Sequence, residues 1–108
     1  MLKKVNRLAK DKDIKTAFAR GRSFFNPFFN IKFLPGQEGK RFTVVVSTKV
    51  YKKAVSRNRL KRLLREHLRK NLAGFKNGSY IIVAKPKVSG LAETEALKNF
   101  LEARSKLK

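Results

Sequence analysis

Apolar and polar residues alternate along this chain in two periods, and the switches between them mark out the elements. From Asp11 to Arg20 the apolar residues Ile14, Ala17 and Phe18 fall on one side of a short helix, and Gly21 supplies a stop. The stretch "RSFFNPFFNIKFLP" then takes up a strand period, with Phe29, Ile31 and Phe33 alternating against Phe28, Asn30 and Lys32. Pro27 cannot donate to a ladder, so it splits this stretch into two strand pieces or marks an edge. "PGQEGK", Pro35 to Lys40, is a turn and an exposed loop. "RFTVVVST", Arg41 to Thr48, is apolar on both parities, which predicts a central strand. A helix follows over roughly Lys53 to Leu72, ending near Gly74. "SYIIVAKP", Ser79 to Pro86, is a second buried strand stopped by proline, and a last helix starts near Ser89 as its N-cap. Leu97, Phe100, Leu101 and Arg104 share the inner side of that helix.

The order is helix, two or three strands, helix, strand, helix. A strand, a long helix and a second strand form a βαβ unit, which sets the two Val/Ile runs parallel in one sheet. No repeat, low-complexity tract or linker divides residues 1–108, so one domain is expected. Hydrophobic residues make up 42% of 108, a folding composition with material for one core. No apolar run approaches the ~20 residues of a membrane helix. The segment MLKKVNRLAKDKD lacks the apolar stretch of a secretory signal. Without cysteine there is neither a disulfide framework nor a thiolate metal site, which is compatible with a reducing cytoplasm.

Charge changes the picture most. Twenty-eight Lys and Arg face seven Asp and Glu, a formal net charge of +21. Such a density repels itself, and a polyanion relieves it. Nucleic acid is the first candidate, because neutralising phosphate releases counterions. An anionic membrane surface fits less well, since the apolar stripes are needed for a core.

The charge concentrates in "KKAVSRNRLKRLLREHLRK", Lys52 to Lys70. Leu60, Leu63, Leu64, His67 and Leu68 form one buried stripe at helical spacing. Arg57, Asn58, Arg59, Lys61, Arg62, Arg65 and Arg69 occupy the other sides, with Glu66 alone to neutralise them, toward Arg62 or Lys70 at i±4. A solvated structural helix mixes signs; this one does not. Arginine forks grip phosphate bidentately and stack on bases, which ammonium groups cannot do. Asn58 could serve a base edge or a 2′-hydroxyl, or equally support the helix start. His67, on the apolar stripe, reads as a core-edge residue rather than a catalytic base. The seven carboxylates are scattered, with no metal-ligand spacing, and no glycine-rich phosphate loop follows a strand. A helix-turn-helix is excluded because a strand precedes the basic helix. An aromatic-bearing sheet suits RNA or single strands, and Phe24, Phe25, Phe28 and Phe29 offer a possible aromatic groove, although each singly is a core residue by default. The residues alone therefore point to RNA binding without chemistry of its own; a structural RNA-binding protein and a DNA-compacting protein are the competing readings.

The run "KKAVSRNRLKRLLRE" resembles the signature of the bacterial ribonuclease P protein family: Ala-Val, a spacer, Arg-Asn-Arg, then Lys-Arg and a further Arg on one helix. Those positions are Ala54, Val55, Arg57, Asn58, Arg59, Lys61, Arg62 and Arg65. "NRLAKDKDIKTAFARGRS" is similar to the family's N-terminal segment and "YIIVAKP" to its last strand, so the resemblance spans nearly the whole chain. It implies an α+β fold, a single-domain α/β sandwich in the order α-β-β-β-α-β-α. That fold is shared with a ribosomal protein domain, and its βαβ crossover is left-handed against the usual rule. It also implies a partner RNA subunit that cleaves the 5′ leader from precursor tRNA with Mg²⁺, in the cytoplasm, with no catalytic residue, membrane or obligate protein partner for this chain. Lys53, Arg57, Asn58, Arg59, Lys61, Arg62 and Arg65 would contact the RNA subunit. A cleft with Ile14, Phe18, Ser23, Phe28 and Lys32 would hold the single-stranded leader. Ile14 and Lys32 stand where the family often has aromatics. Since strand alternation puts Phe28 on the face of Lys32, Phe28 is expected to replace the missing ring while Lys32 holds a leader phosphate.

Overall fold

The strand with the most continuous apolar run sits at the centre of the sheet and organises everything else. In the computed structural model, which describes residues 11–36 and 39–105, the elements are α1 (Asp11–Arg20), β1 (Arg22–Phe25), β2 (Phe29–Pro35), β3 (Lys40–Val45), α2 (Ala54–Lys70), β4 (Gly78–Ala84) and α3 (Glu93–Arg104). The sheet order is β1-β2-β4-β3. β1 and β2 form an antiparallel pair, β2 and β4 another, and β3 runs parallel to β4 as the βαβ reading requires. The basic segment preceding Asp11, and Gln37 and Glu38 of the expected loop, lie outside the described residues.

One face of the sheet carries the main core. Phe33, Tyr80 and Phe42 are in register across three strands and stack at 4.6 and 4.9 Å, while Phe75 closes on Phe42 and Tyr80 edge-on. Beside them Ile31, Ile82 and Val44 form the next row, against Leu60, Leu64 and Leu68 of α2 and Ala96, Phe100 and Ala103 of α3. Burial of this kind pushes the Tyr80 phenol up to about 12, although its hydroxyl donates to the Lys76 carbonyl at 2.6 Å.

The opposite face is covered only in part. Ala17 and Ile14 of α1 pack on Ile81, Leu34 and Val83. Gly21 ends α1 with its N–H on the Ala17 carbonyl at 2.8 Å; a Cβ there would run into that oxygen and sit 3.2 Å from the Phe33 carbonyl. Gly78 starts β4 at φ +150°, and a Cβ there would strike the Leu34 carbonyl.

Four expectations are corrected. β3 is an edge strand, paired with β4 alone; its Val45 faces the half-open side and stays exposed while Phe42 and Val44 are buried. The last helix begins at Glu93: Ser89 lies in a 3₁₀ turn, Pro86–Gly90, where its hydroxyl donates back to the Pro86 carbonyl. Its buried side is Ala96, Phe100 and Ala103, with Leu97 half-covered; Leu101 is exposed, and Arg104 lies 4.2 Å over the Phe75 ring. Finally, Phe28 does not share the face of Lys32. It precedes β2 in a bend held by Asn26, whose Oδ1 accepts the Phe28 and Phe29 N–H groups, and its ring packs against the main core.

Candidate nucleic-acid interface

The βαβ crossover decides where the charge goes. Because β3 and β4 are parallel, α2 must run back toward the start of β4, so its N-terminus lies at the carboxyl end of both strands. Its leucines dock on the core, and the first turn, with Ala54 and Val55 exposed, is left toward solvent. No side chain caps it and no acidic residue lies in its first turn, so the positive end of the helix dipole adds to Lys52 and Lys53 rather than being neutralised.

The basic side chains on this helix are not equivalent. Arg57 donates from Nη1 to the carbonyls of Tyr51 at 3.0 Å and Lys52 at 2.8 Å, clamping the loop that leads into the helix. Arg59 approaches Glu93 of α3 at 3.8 Å, with both side chains well exposed. Glu66 pairs with Arg69, Nε to Oε1 at 2.5 Å, one turn along at i+3; that bond first, with the Lys70 charge adding to it, holds its carboxyl below the usual range. Among the described residues Arg59 and Arg69 are the only α2 cations that meet a carboxylate. Lys53, Asn58 and Arg62 are exposed, and Lys61 and Arg65 half-exposed, beside them.

His67 is the core-edge residue its position suggested. Its ring meets Phe100 edge-on at 5.8 Å and its Nδ1 lies 3.3 Å from the Asn71 amide; burial first, and then Arg104, hold the imidazole below its ordinary value.

On the half-covered sheet face, α1 brings Phe18 against Lys32. The Lys32 ammonium lies 4.3 Å from the Phe18 ring centroid and donates to the Phe18 carbonyl at 2.8 Å. Ser23 pairs with Lys32 in register and is exposed beside it. Phe18, Ser23 and Lys32 therefore come together. Ile14 lies deeper, packed under α1 with Ala17 and Ile81, and Phe28 is on the other face. One row further along the strands, Phe25, Asn30, Val83 and Val45 are in register from one edge of the sheet to the other, ending at the strand that leads into α2. Of nine phenylalanines only Phe18 (49%) and Phe25 (58%) are exposed, so the apparent aromatic surplus reduces to these two.

One residue was named by the sequence reading without being singled out, and another escaped it. Phe25 was one of four candidate aromatics with nothing local to single it out. Asn26, 7% exposed, fixes the β1–β2 turn to α3 through bonds from Nδ2 to the Asn99 carbonyl at 2.8 Å and to Glu102. Its neighbour proline marks a turn, but the partners lie more than seventy residues away.

Among the described residues no three His, Asp or Glu side chains converge to hold a metal ion. Glu66, Glu93 and Glu102 are each committed to a cation or an amide on different parts of the surface. These residues do not form a Mg²⁺ site. No helix of the described residues is long and apolar enough to cross a membrane.

Comparisons with known proteins agree with one another. The family model for Ribonuclease P matches residues 2–108. The chain is 37% identical over 100 residues to the Ribonuclease P protein component of Bacillus velezensis, covering 91% of this chain and 85% of that one. It is 36% identical over 109 residues to the same component of a Pseudanabaena species, covering 94% and 92%. In fold it is similar to the RNase P protein of Staphylococcus aureus, with a TM-score of 0.90 at 22% identity over 97% of both chains. It is likewise similar to the RNase P protein of Thermotoga maritima, with a TM-score of 0.81 at 27% identity over 94% of this chain and 97% of that one.

Proposed function

Since the chain belongs to the ribonuclease P protein family, we propose that it is the protein subunit of a ribonucleoprotein endonuclease that removes the 5′ leader from precursor tRNA. In this reading the catalytic centre belongs to the RNA subunit, and Mg²⁺ is held by that RNA and the substrate. The protein supplies binding: it assembles with the RNA through α2 and grips the unpaired leader on the half-open sheet face. By holding part of the substrate it raises affinity and lowers the Mg²⁺ concentration needed.

The observation that supports this reading is a strongly cationic helix starting at the carboxyl ends of β3 and β4, together with a half-open sheet face on which Phe18, Lys32 and Ser23 come together. Lys53, Asn58, Arg59, Lys61, Arg62 and Arg65 present donors to phosphate, and Arg57 both contacts RNA and holds the loop behind it. Phe18 offers a ring for one leader base. Lys32, already fixed over that ring, contributes a phosphate contact where an aromatic would give a second stack. Ser23 adds a hydroxyl at the cleft floor.

The test is cleavage of precursor tRNA by a bacterial ribonuclease P RNA at low Mg²⁺, with and without this protein. Stimulation is expected, and its absence overturns the reading. Phe18→Ala should weaken holoenzyme binding of precursor while leaving mature tRNA binding unchanged; equal damage to both would remove the leader from this cleft.

A further inference from the structure

All three helices end on the side of the sheet where β3 and β4 begin. α1 closes at Arg20 and enters β1 at Arg22, which is in register with Phe33 and, across β2, with Tyr80 near the start of β4. α2 closes at Lys70, and Lys76 stands in the short link from there to β4. α3 brings Arg104 over the ring of Phe75 in that same link. Arg20, Arg22, Lys70 and Lys76 are exposed, and Arg104 half-exposed. Acids do not balance them. Glu93 and Glu102 are held at Arg59 and Asn26, toward the other end, and Glu66 is turned to Arg69. By sequence the loop between β2 and β3 adds one more acid, Glu38. The helix dipoles do not balance them either, since a C-terminus carries only about half a negative charge.

This cationic end is distinct from the one at the start of α2. The 17 residues of α2 separate the two by ~25 Å at ~1.5 Å per residue, about three Debye lengths at physiological salt. Phosphates gathered at Arg59 and Arg62 thus do little to relieve the repulsion around Lys70 and Lys76. The supply of rings differs as well. Phe33, Phe42, Phe75 and Tyr80 of this end pack on one another inside the core, whereas the exposed Phe18 and Phe25 belong to the half-open face and its β1 edge. Cations without a stacking platform suit a partner that shows its phosphates and hides its bases, a double helix rather than an unpaired strand. Two strand spacings, ~10 Å in all, separate the backbones of Arg22 and Tyr80, so Arg22 and Lys76 lie within reach of one duplex. We propose that the end formed by Arg22, Lys70 and Lys76 is a second RNA-docking surface. It grips the phosphate backbone of a helical RNA segment other than the one that meets the start of α2, so that the protein bridges two segments. The inference rests on the reading that α2 assembles with RNA.

The experiment compares two charge-matched double variants in the holoenzyme reconstituted with a bacterial ribonuclease P RNA. One is Lys70→Gln with Lys76→Gln; the other removes two exposed lysines outside this end, Lys15→Gln with Lys98→Gln. If the helical segment belongs to the RNA subunit itself, the first pair should weaken assembly and lower its salt slope by about two, so that its deficit shrinks about tenfold between roughly 50 and 200 mM salt. Arg22→Gln should add about one further unit of slope. If the segment belongs to another RNA molecule, assembly should be unchanged and the assembled particle should lose its capture of an added blunt-ended RNA duplex. Lys70→Arg with Lys76→Arg should preserve binding in both cases. Backbone protections lost in the first pair should fall in base-paired RNA; losses confined to unpaired nucleotides overturn the assignment to a duplex. If the second pair has the same effect as the first, net charge alone is acting and the surface is wrong. If the first pair changes nothing while Arg59→Ala weakens assembly, the surface is wrong and the reading of α2 stands. If Arg59→Ala also changes nothing, both are wrong.

Discussion

Replacing Asn26 with alanine removes a residue that holds three elements together. Its Oδ1 accepts the N–H groups of Phe28 and Phe29 at 2.9 and 2.8 Å, and its Nδ2 donates to the Asn99 carbonyl and to Glu102. Phe29, the first residue of β2, is fully buried, so its N–H has no water to turn to. Four bonds at a net ~1 kcal/mol each, less partial rehydration at the exposed Glu102, predict a loss of about 3 kcal/mol. Against a total stability of roughly 5–15 kcal/mol that is a large fraction; at 4–8 °C per kcal/mol it lowers the melting temperature by about 15 °C. Asn26→Asp separates the two halves of the role. It keeps the acceptor for the turn but sets a carboxylate against the Asn99 carbonyl and Glu102, so near neutral pH it should be no better than alanine. On acidification it should recover relative to alanine, because a protonated carboxyl donates again: its folded pKa is raised, so the stabilising form exists below that pKa and is lost as pH rises through it. Urea unfolding followed by circular dichroism measures both variants. A loss under ~1 kcal/mol for alanine, or wild-type stability for aspartate at pH 7, would refute this account of the turn.

The remaining predictions concern α2. Arg57→Ala should cost about 1–2 kcal/mol of stability through its two carbonyl bonds, whereas Arg59→Ala should change stability by less than about 0.5 kcal/mol. Both should reduce the salt slope of RNA binding by about one per lost phosphate contact, so equal unfolding midpoints would deny Arg57 its clamping role. Glu93→Gln should strengthen assembly with the RNA subunit about two- to fivefold, since an exposed pair is worth ~0–1 kcal/mol and Arg59 no longer has to leave it. It should also lower the Tyr51 phenol part of the way, because burial and then Glu93 push that group up; an unchanged ultraviolet titration would place Glu93 elsewhere. His67 has a folded pKa below its ordinary 6.5, so the unfolded chain takes the proton first. Its contribution is therefore complete above about pH 6.5 and lost as pH falls from there to the folded value. His67→Gln should flatten the urea midpoint between pH 7 and 5, where Glu66, held below 4.5, does not yet titrate.

What the sequence made legible was decided by whether the signal was local. The leucine stripe of α2 could be read because helical spacing alone sets which side chains share a face, and Leu60, Leu64 and Leu68 are indeed buried together. The parallel pairing of β3 and β4 followed from a strand-helix-strand order whose 17-residue helix is long enough to carry the chain back to the starting end of the sheet. Apolar residues on both parities of β3 suggested a central strand, yet periodicity cannot distinguish burial on both faces from one face lining a half-open cleft, which is where Val45 lies. The misplacement of Phe28 has a similar origin. Alternation was carried one residue past the true start of β2, and the Asn26 turn that shifts the backbone there depends on α3, which arrives late in the chain. Ser89 had the chemistry of an N-cap, but Pro86 had already begun a 3₁₀ turn that uses its hydroxyl.

The two faces of the sheet divide the work for a physical reason. A four-stranded sheet this small can bury only one face fully, and here α2 and α3 take that face with nearly all the large apolar side chains. The ten-residue α1 then covers the β4 side of the other face, over Leu34, Ile81 and Val83, and leaves the β1 edge with Ser23 and Phe25 to solvent. An apolar partner would have demanded an apolar patch there. Instead the exposed positions hold Phe18 and Phe25, each with a lysine ammonium fixed above its ring, so each ring is already paired with the charge that a phosphate requires. Three glutamates, Glu93, Glu95 and Glu102, are gathered on α3, which packs on the opposite face of the sheet. Under the proposed function, the long-range field would draw RNA in without regard to sequence. Selection for an unpaired strand would then fall to the exposed rings, because a duplex keeps its base faces stacked on one another and has none to offer them.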